Sequence, residues 1–451
     1  MWAFTLLLVP LSSLTDGIAA PCTSIDQKTC FRNSGYDLVP GADAAACCAL
    51  CAADTKCAAW TFITEQLQAP NCHLKATLPN ASEIQHCNDG ASSVLRTPLP
   101  TPAPTPAPPA PKGAMNVVFI VVDDLRPEFN LAYDQSHLVT PKLDAFVDSS
   151  LTFTQAYVQY SHCSPSRNSF LSGRRPQTTG VYNFIDSFRQ TNIVDSNGVA
   201  GIDWVAMPEW FKQHGYQTLG GGKIFHPNHP PNDDKKYSWD ATSPVSGVPG
   251  YYKANGDDKG CRDNETIYDN VCPSAEPDSA FYDNVLAVDA AAQIKAAALL
   301  KAPFFVGVGM RRPHRVWHVP RRFYDLYTNN GTFPTDMKLA AHKTAPLNMP
   351  PLAWIDNAWP SFHYNYTVPI SDEIAALGRW GYYAAVSFMD FNVGIVLDAI
   401  DAAGVAKNTI VVLTGDHGWE LGEHGVRPMQ RAALLFAMPS HACIASLPLS
   451  L

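Results

Sequence analysis

Residues 116–124 read NVVFIVVDD, and the fold turns on how that stretch is read. Val117 to Val122 form an unbroken apolar run rich in β-branched residues, with no polar face to show to water. A strand of that kind is covered on both sides, as in the interior of a parallel sheet. The same pattern returns as FFVGVG at 304–309 and TIVVLTG at 409–415. Between these runs lie stretches with helical patterning: PKLDAFVDSS at 141–150, a segment following Cys163, DNVLAVDAAAQIKAAALL at 283–300 and GYYAAVSFMDFNVGIVLDAI at 381–400. The stretch LTFTQAYVQ at 151–159 adds a further strand candidate. Apolar strands alternating with helices predict an α/β sandwich around a mostly parallel sheet, whose chemistry gathers at the carboxyl ends of the strands.

Working toward the amino terminus, PLPTPAPTPAPPAP at 98–111 is too proline-rich for helix or sheet and reads as an extended linker of roughly 40 Å at about 3.1 Å per residue. Before it, eight of the twelve cysteines (Cys22, Cys30, Cys47, Cys48, Cys51, Cys57, Cys72, Cys87) crowd one segment. That density predicts a small disulfide scaffold whose pairing the sequence leaves open. The first twenty residues, MWAFTLLLVPLSSLTDGIAA, read as a secretory leader cleaved near Ala20. Its apolar run is too short to span a bilayer, and no later stretch reads as long enough either. The expected division is 1–20 leader, 21–96 disulfide-rich module, 97–114 linker and 115–451 main domain. Sequons at Asn80, Asn264, Asn330 and Asn365 fit a secreted or lumenal route. The net charge of −9 over 451 residues gives no general basic field to recruit nucleic acid.

Two apolar runs end in polar pairs: Asp123 and Asp124 after the first, Asp416 and His417 after the last. Either pair alone could cap the helix that follows it. Together, at one sheet edge, the carboxylates would repel unless a hard divalent cation joined them, which points to Ca²⁺ or Mg²⁺. Cys163 stands where a strand gives way to a helix. Pro165 suits the first turn there, and the free amides of a helix start attract anions. A buried or disulfide-bonded structural cysteine is the bland alternative.

The segment CSPSR at 163–167 matches the C-x-P-x-R core of the type I sulfatases. The resemblance extends through NVVFIVVDDLRPEF, CSPSRNSFLSGRRPQTTGVYNF, GGKIFHP, RRPHRVWHVPRRF and GDHGWELGEHG, in order from about Asn116 to Gly425. It is strongest toward the iduronate 2-sulfatases within that family, and the amino-terminal CCALCAADTKCAAWTF resembles a PAN/Apple module. The resemblance implies an alkaline-phosphatase-like fold and cleavage of sulfate from a sulfated glycan. It implies that Cys163 is oxidised to formylglycine by a generating enzyme of the secretory pathway, whose hydrate attacks sulfur with one hydroxyl and expels sulfate with the other. It implies one Ca²⁺ held by Asp123, Asp124, Asp416, His417 and residue 163, with Arg167 holding the hydrate. Lys223 and His226 would contact sulfate, His314 would donate to the leaving alcohol, and Cys261 would pair with Cys272.

Read without the family, Lys223 is a solvated surface charge and His314 an ordinary histidine. The arginines 311, 312, 315, 321 and 322 form either a cradle for a polyanion or a set of internal ion pairs. After Gly425 the family continues to a sulfate-touching lysine and a smaller C-terminal sheet. This chain reads VRPMQRAALLFAMPSHACIASLPLSL instead, so the expectation is a missing C-terminal subdomain, with Arg427 as a stand-in charge. Rival readings are a phosphatase or phosphonate hydrolase of the same superfold, and an inactive glycan-binding protein that uses the amino-terminal module as a second ligand site.

Overall fold

The computed structural model describes residues 26–31, 37–39, 44–54, 57, 59–63, 72–75, 84–94, 108–129, 137–240, 271–300, 302–328, 337, 339–344, 348, 371–423 and 441–446. The leader, the four sequons, Cys22, Cys261 and Arg427 lie outside these residues. The chain divides into two compact units, 1–106 and 107–451.

In the first unit β1 (Asp26–Phe31), β2 (Asp37–Val39), β3 (Ala59–Ile63), β4 (Cys72–Lys75) and β5 (Ile84–Val94) form an antiparallel sheet in the order β1-β5-β3-β4-β2. The helix Ala44–Ala53 carries Cys47, Cys48 and Cys51. Cys47 bonds Cys72 on β4, Cys51 bonds Cys57, and Cys48 is also disulfide-bonded. Trp60 and Phe62 on β3 pack with these sulfurs in a core too small to persist on apolar burial alone.

The second unit is built on β6 (Asn116–Val122), β7 (Leu151–Ala156), β8 (Gln217–Gly222), β10 (Phe304–Met310), β12 (Thr409–Gly415) and β13 (His441–Ser446), in the order β7-β13-β12-β6-β10-β8. Strands β12, β6, β10 and β8 run parallel to one another, and β13 is antiparallel to both its neighbours. A small parallel pair, β9 (Val271–Ser274) with β11 (Trp317–Pro320), stands apart. The continuous apolar reading of β6 is explained by its two-sided burial. Val118, Ile120 and Val122 enter one core with the helices Tyr282–Ala297 and Asp372–Ala402, while Phe119 and Val121 enter another with Leu171, Trp204 and Trp239. On β10, Phe304, Val306 and Val308 divide from Phe305 in the same way.

Three expectations change. Pro108 and Ala110, counted in the linker, lie so close to Gly215 that a β-carbon there would strike their backbone, so the end of the proline run belongs to the second unit. The helix Asp372–Ala402 is, by length and composition, long and apolar enough to cross a membrane, contrary to the reading that no stretch after the leader is. Yet 78% of its most apolar window is buried inside the protein, as in a core helix. The tail in which no continuation could be recognised supplies β13, which sits between β7 and β12.

Candidate active site

Four adjacent strand ends build one site. In the parallel register Val122 of β6 faces Gly415 of β12 and Met310 of β10, and Gly309 faces Gly222 of β8. The residues that follow are therefore neighbours: Asp123 and Asp124, Asp416 and His417, the loop carrying His314, and Lys223 with His226. The close approach of β8 to β10 requires glycine at 222, where φ is +79° and a β-carbon would strike the Gly309 carbonyl. The fifth contributor is the helix Cys163–Ser172, which ends on Gly173 in the left-handed conformation and presents Cys163 in its first turn.

The Cys163 sulfur lies 3.4 Å from Asp123 Oδ1 and 3.1 Å from His417 Nε2, and His417 Nε2 lies 3.3 Å from Asp124 Oδ1. One donor atom from each of these four side chains falls within 4.8 Å of all the others, and all four residues are buried. His417 Nδ1 donates to the Gly418 carbonyl at 3.0 Å, so the lone pair of Nε2 faces the cluster. Asp416 is used differently. Its Oδ2 accepts from Arg167 Nε at 2.8 Å, and its Oδ1 accepts from the amides of Asp124 and His417 at 3.0 and 2.9 Å. Arg167, fully buried, also donates to the carbonyls of Lys223 and Ile224. Its guanidinium thus ties the β12 end to the β8 end. Lys223 Nζ donates to Asp123 Oδ2.

These contacts set the charge states. Burial alone would raise Asp123, but Lys223 above all, with Arg167 also contributing, holds it well below the usual carboxylate range. Burial pushes the Cys163 thiol well above its ordinary value, and Asp123 pushes it further. Burial, with Lys223 and Arg167, takes half-buried His226 down to about 2. His314 is kept neutral by burial, with Lys223 and Arg311 opposing the pull of Asp123, and its Nδ1 donates to the Arg315 carbonyl at 2.5 Å. Phe184 contacts both His162 and His226, with ring centroids 3.9 and 4.7 Å away and the rings tilted by 55° and 30°.

The residues present fit a cation. Asp123, Asp124 and Asp416 bring three carboxylates against two fixed cations, Arg167 and Lys223, in a buried place where an unbalanced negative charge is costly. A thiol among the donors suits a softer metal than Ca²⁺; oxygens on residue 163 would make the set match a hard cation.

Parts of the arginine-rich segment make internal contacts. The amides of Arg311 and Arg312 donate to Asp283 at 2.8 and 2.7 Å, Arg312 Nη1 donates to the His314 carbonyl at 3.1 Å, and Arg322 pairs with Asp278 at 2.5 Å. Cys272 is disulfide-bonded. Sequence reasoning missed Asp283, Ser166, whose hydroxyl donates to the Asp416 carbonyl at 2.6 Å, and Tyr382, whose hydroxyl donates to the Asp124 carbonyl at 2.7 Å. No local pattern marks any of them.

Comparison with known proteins gives this arrangement relatives. The sequence profile of the sulfatase family matches residues 115–436, and that of the PAN domain matches residues 31–75. The chain is 33% identical over 329 residues to mouse iduronate 2-sulfatase and 33% identical over 332 residues to the human one, covering 69% of this chain and 56% of the relative in each case. It is 30% identical over 354 residues to a sulfatase of Formosa agariphila, covering 72% of this chain and 64% of that one. The chain thus spans little more than half the length of the mouse and human relatives. In fold it is similar to the phosphonate monoester hydrolase of Agrobacterium radiobacter, with a TM-score of 0.55, 18% identity, and coverage of 74% of this chain and 68% of the other.

Proposed function

The chain belongs to the sulfatase family, and from that premise we propose that it hydrolyses sulfate esters of a glycan through residue 163, converted to formylglycine, with one bound Ca²⁺. The observation that carries this reading is the state of Cys163. It stands at a helix start, beside Asp123 and His417 and at the junction of four strand ends, where a nucleophile belongs. As a thiol, however, burial and its acidic neighbours push its pKa well above the ordinary value, against formation of the thiolate. Conversion to formylglycine removes the contradiction: the hydrate would supply one hydroxyl to attack sulfur and a second whose collapse to the aldehyde releases sulfate.

Asp123, Asp124, His417 and residue 163 would hold Ca²⁺, with Asp416 beside them, and the ion would supply positive charge to the sulfate oxygens and to the nucleophile. Arg167 fixes the Asp416 carboxylate and the Lys223 main chain, so its role here is to register the two strand ends. Lys223 stays charged beside Asp123 and faces an arriving anion. His226, neutral against Phe184, offers a hydrogen bond rather than a charge. His314 carries its proton on Nδ1, toward Arg315; the negative charge of a bound sulfate ester would draw a second proton onto Nε2, from which the leaving alcohol is protonated. The names of the mouse and human relatives favour an iduronate 2-sulfate-like sugar. The PAN module fits a second contact to glycan or protein, and its disulfides, like the leader, fit an extracellular or lumenal setting.

The test is mass spectrometry of the peptide containing residue 163 from chain secreted by cells that carry the generating enzyme, paired with sulfate release from a heparan or dermatan fragment. Aldehyde or hydrate at 163 with release is expected. An unmodified thiol overturns the nucleophile assignment, and aldehyde without release of sulfate from any glycan overturns the substrate class.

A further inference from the structure

We infer that Tyr382, in the middle of the Asp372–Ala402 helix, is the positioning residue of the metal-binding turn: its hydroxyl locks Asp124 in the left-handed conformation that aims the Asp124 carboxylate at Cys163 and His417. The inference rests on the metal reading above and concerns a residue outside the ligand set.

Asp124 has φ +62°, a conformation that costs an L residue about 1–2 kcal/mol and persists only where its surroundings impose it. Both main-chain polar groups of Asp124 are engaged. Its amide donates to Asp416 Oδ1 at 3.0 Å and its carbonyl accepts from the Tyr382 hydroxyl at 2.7 Å. The same hydroxyl accepts from the Arg126 amide at 2.9 Å, so a single oxygen bridges the turn from residue 124 to residue 126. The ring that carries it is fully buried and stands edge-on to Trp317 at 6.2 Å. The hydroxyl is therefore held by the rigid core and not by the loop it braces.

Its effect reaches the second ligand-bearing turn as well. Arg126, placed by that hydrogen bond, donates from Nη1 to the Trp419 carbonyl at 2.9 Å and pairs with Glu423 at 3.0 Å. The turn carrying Asp123 and Asp124 and the segment following Asp416 and His417 are thus fixed to one another through a side chain that never approaches the cluster. Removing the hydroxyl leaves a buried carbonyl and a partly buried amide without that partner and frees a strained residue to relax. Asp124 would then have to be re-ordered when the ion binds, and affinity would fall by that ordering cost.

The experiment measures Ca²⁺ affinity by calorimetry on the full chain and on Tyr382→Phe and Tyr383→Phe, with hydrogen exchange at the Arg126 amide. Tyr383 is the control. Its hydroxyl is buried too and serves Glu128 at 3.1 Å and Arg379 at 3.0 Å, in the ion-pair network around Arg126, but it makes no hydrogen bond to the Asp124 carbonyl or the Arg126 amide, so it tests the network without the turn brace. Tyr382→Phe is expected to raise the Kd about tenfold and to speed Arg126 exchange, with Tyr383→Phe staying within about twofold of wild type. Equal weakening in both variants reduces the effect to general destabilisation and overturns the inference, as does wild-type affinity in Tyr382→Phe. A wild-type chain that binds no Ca²⁺ overturns the metal reading itself, and this inference with it.

Discussion

Glu423→Gln isolates one carboxylate in a buried ion-pair network that braces the site from behind. Glu423 Oε1 accepts from Arg126 Nη2 at 3.0 Å and from Arg379 Nη2 at 2.5 Å, while Glu128 binds the same two arginines at 2.8 and 3.1 Å. Burial would raise the Glu423 carboxyl, but Arg126 foremost, then Arg379, bring it from 4.5 down to about 2. A folded value below the unfolded one stabilises the protein at every pH above 4.5, and that stabilisation is lost as the pH falls through 2. At about 1.4 kcal/mol for each pH unit between those values, the ionised form contributes roughly 3 kcal/mol at neutral pH. Glutamine keeps the shape and one oxygen acceptor but removes the charge, so the variant is expected to unfold with about 3 kcal/mol less free energy at pH 7. Near pH 2 the two proteins should nearly coincide. Urea unfolding followed by tryptophan fluorescence, in chelator, at steps from pH 7 to pH 2, measures the gap. A gap that stays constant across the range, or one below about 0.5 kcal/mol at pH 7, would refute the claim that these charges are buried together and stabilise the fold.

Gly222→Ala places a β-carbon against the Gly309 carbonyl in a backbone of φ +79°; a loss of roughly 3 kcal/mol is expected, and a wild-type unfolding midpoint would show that β8 and β10 are not packed as described. Asp123→Asn removes a charge held firmly ionised and strips Lys223 of its counterion. Ca²⁺ affinity should drop at least tenfold, at about 1.4 kcal/mol per decade; unchanged calorimetric affinity would remove Asp123 from the metal shell.

What could be read in advance, and what could not, follows from the range of the interactions involved. Strands β6, β10 and β12 were legible because two-sided burial leaves an unbroken apolar run in the sequence. The residues that follow two of these strands were legible for the same reason: once the strand is placed, Asp123 and Asp416 are fixed at its carboxyl end, whereas Lys223 follows QTLGGG, a strand without such an apolar run, and was reached only through the family resemblance. Strand β13 was not, since HACIAS is short, lies in an unfamiliar tail and pairs antiparallel. The arginine-rich segment looked like a polyanion cradle because its positive charges are local in sequence. The partner of the Arg322 charge, Asp278, lies 44 residues away, and Asp283, which holds the Arg311 and Arg312 main-chain amides, lies 28 and 29 residues away. The brace at Tyr382 is further still, 258 residues from Asp124, and it sits within a helix whose apolar pattern already accounts for a buried tyrosine as packing. A ligand must be a particular chemical type and so leaves a trace in one sequence. A brace needs only one donor at one point in space, and many side chains on many helices could supply it. The cost of losing that donor is nevertheless borne by the ligand, which makes a conservative tyrosine-to-phenylalanine change informative about a site it does not touch.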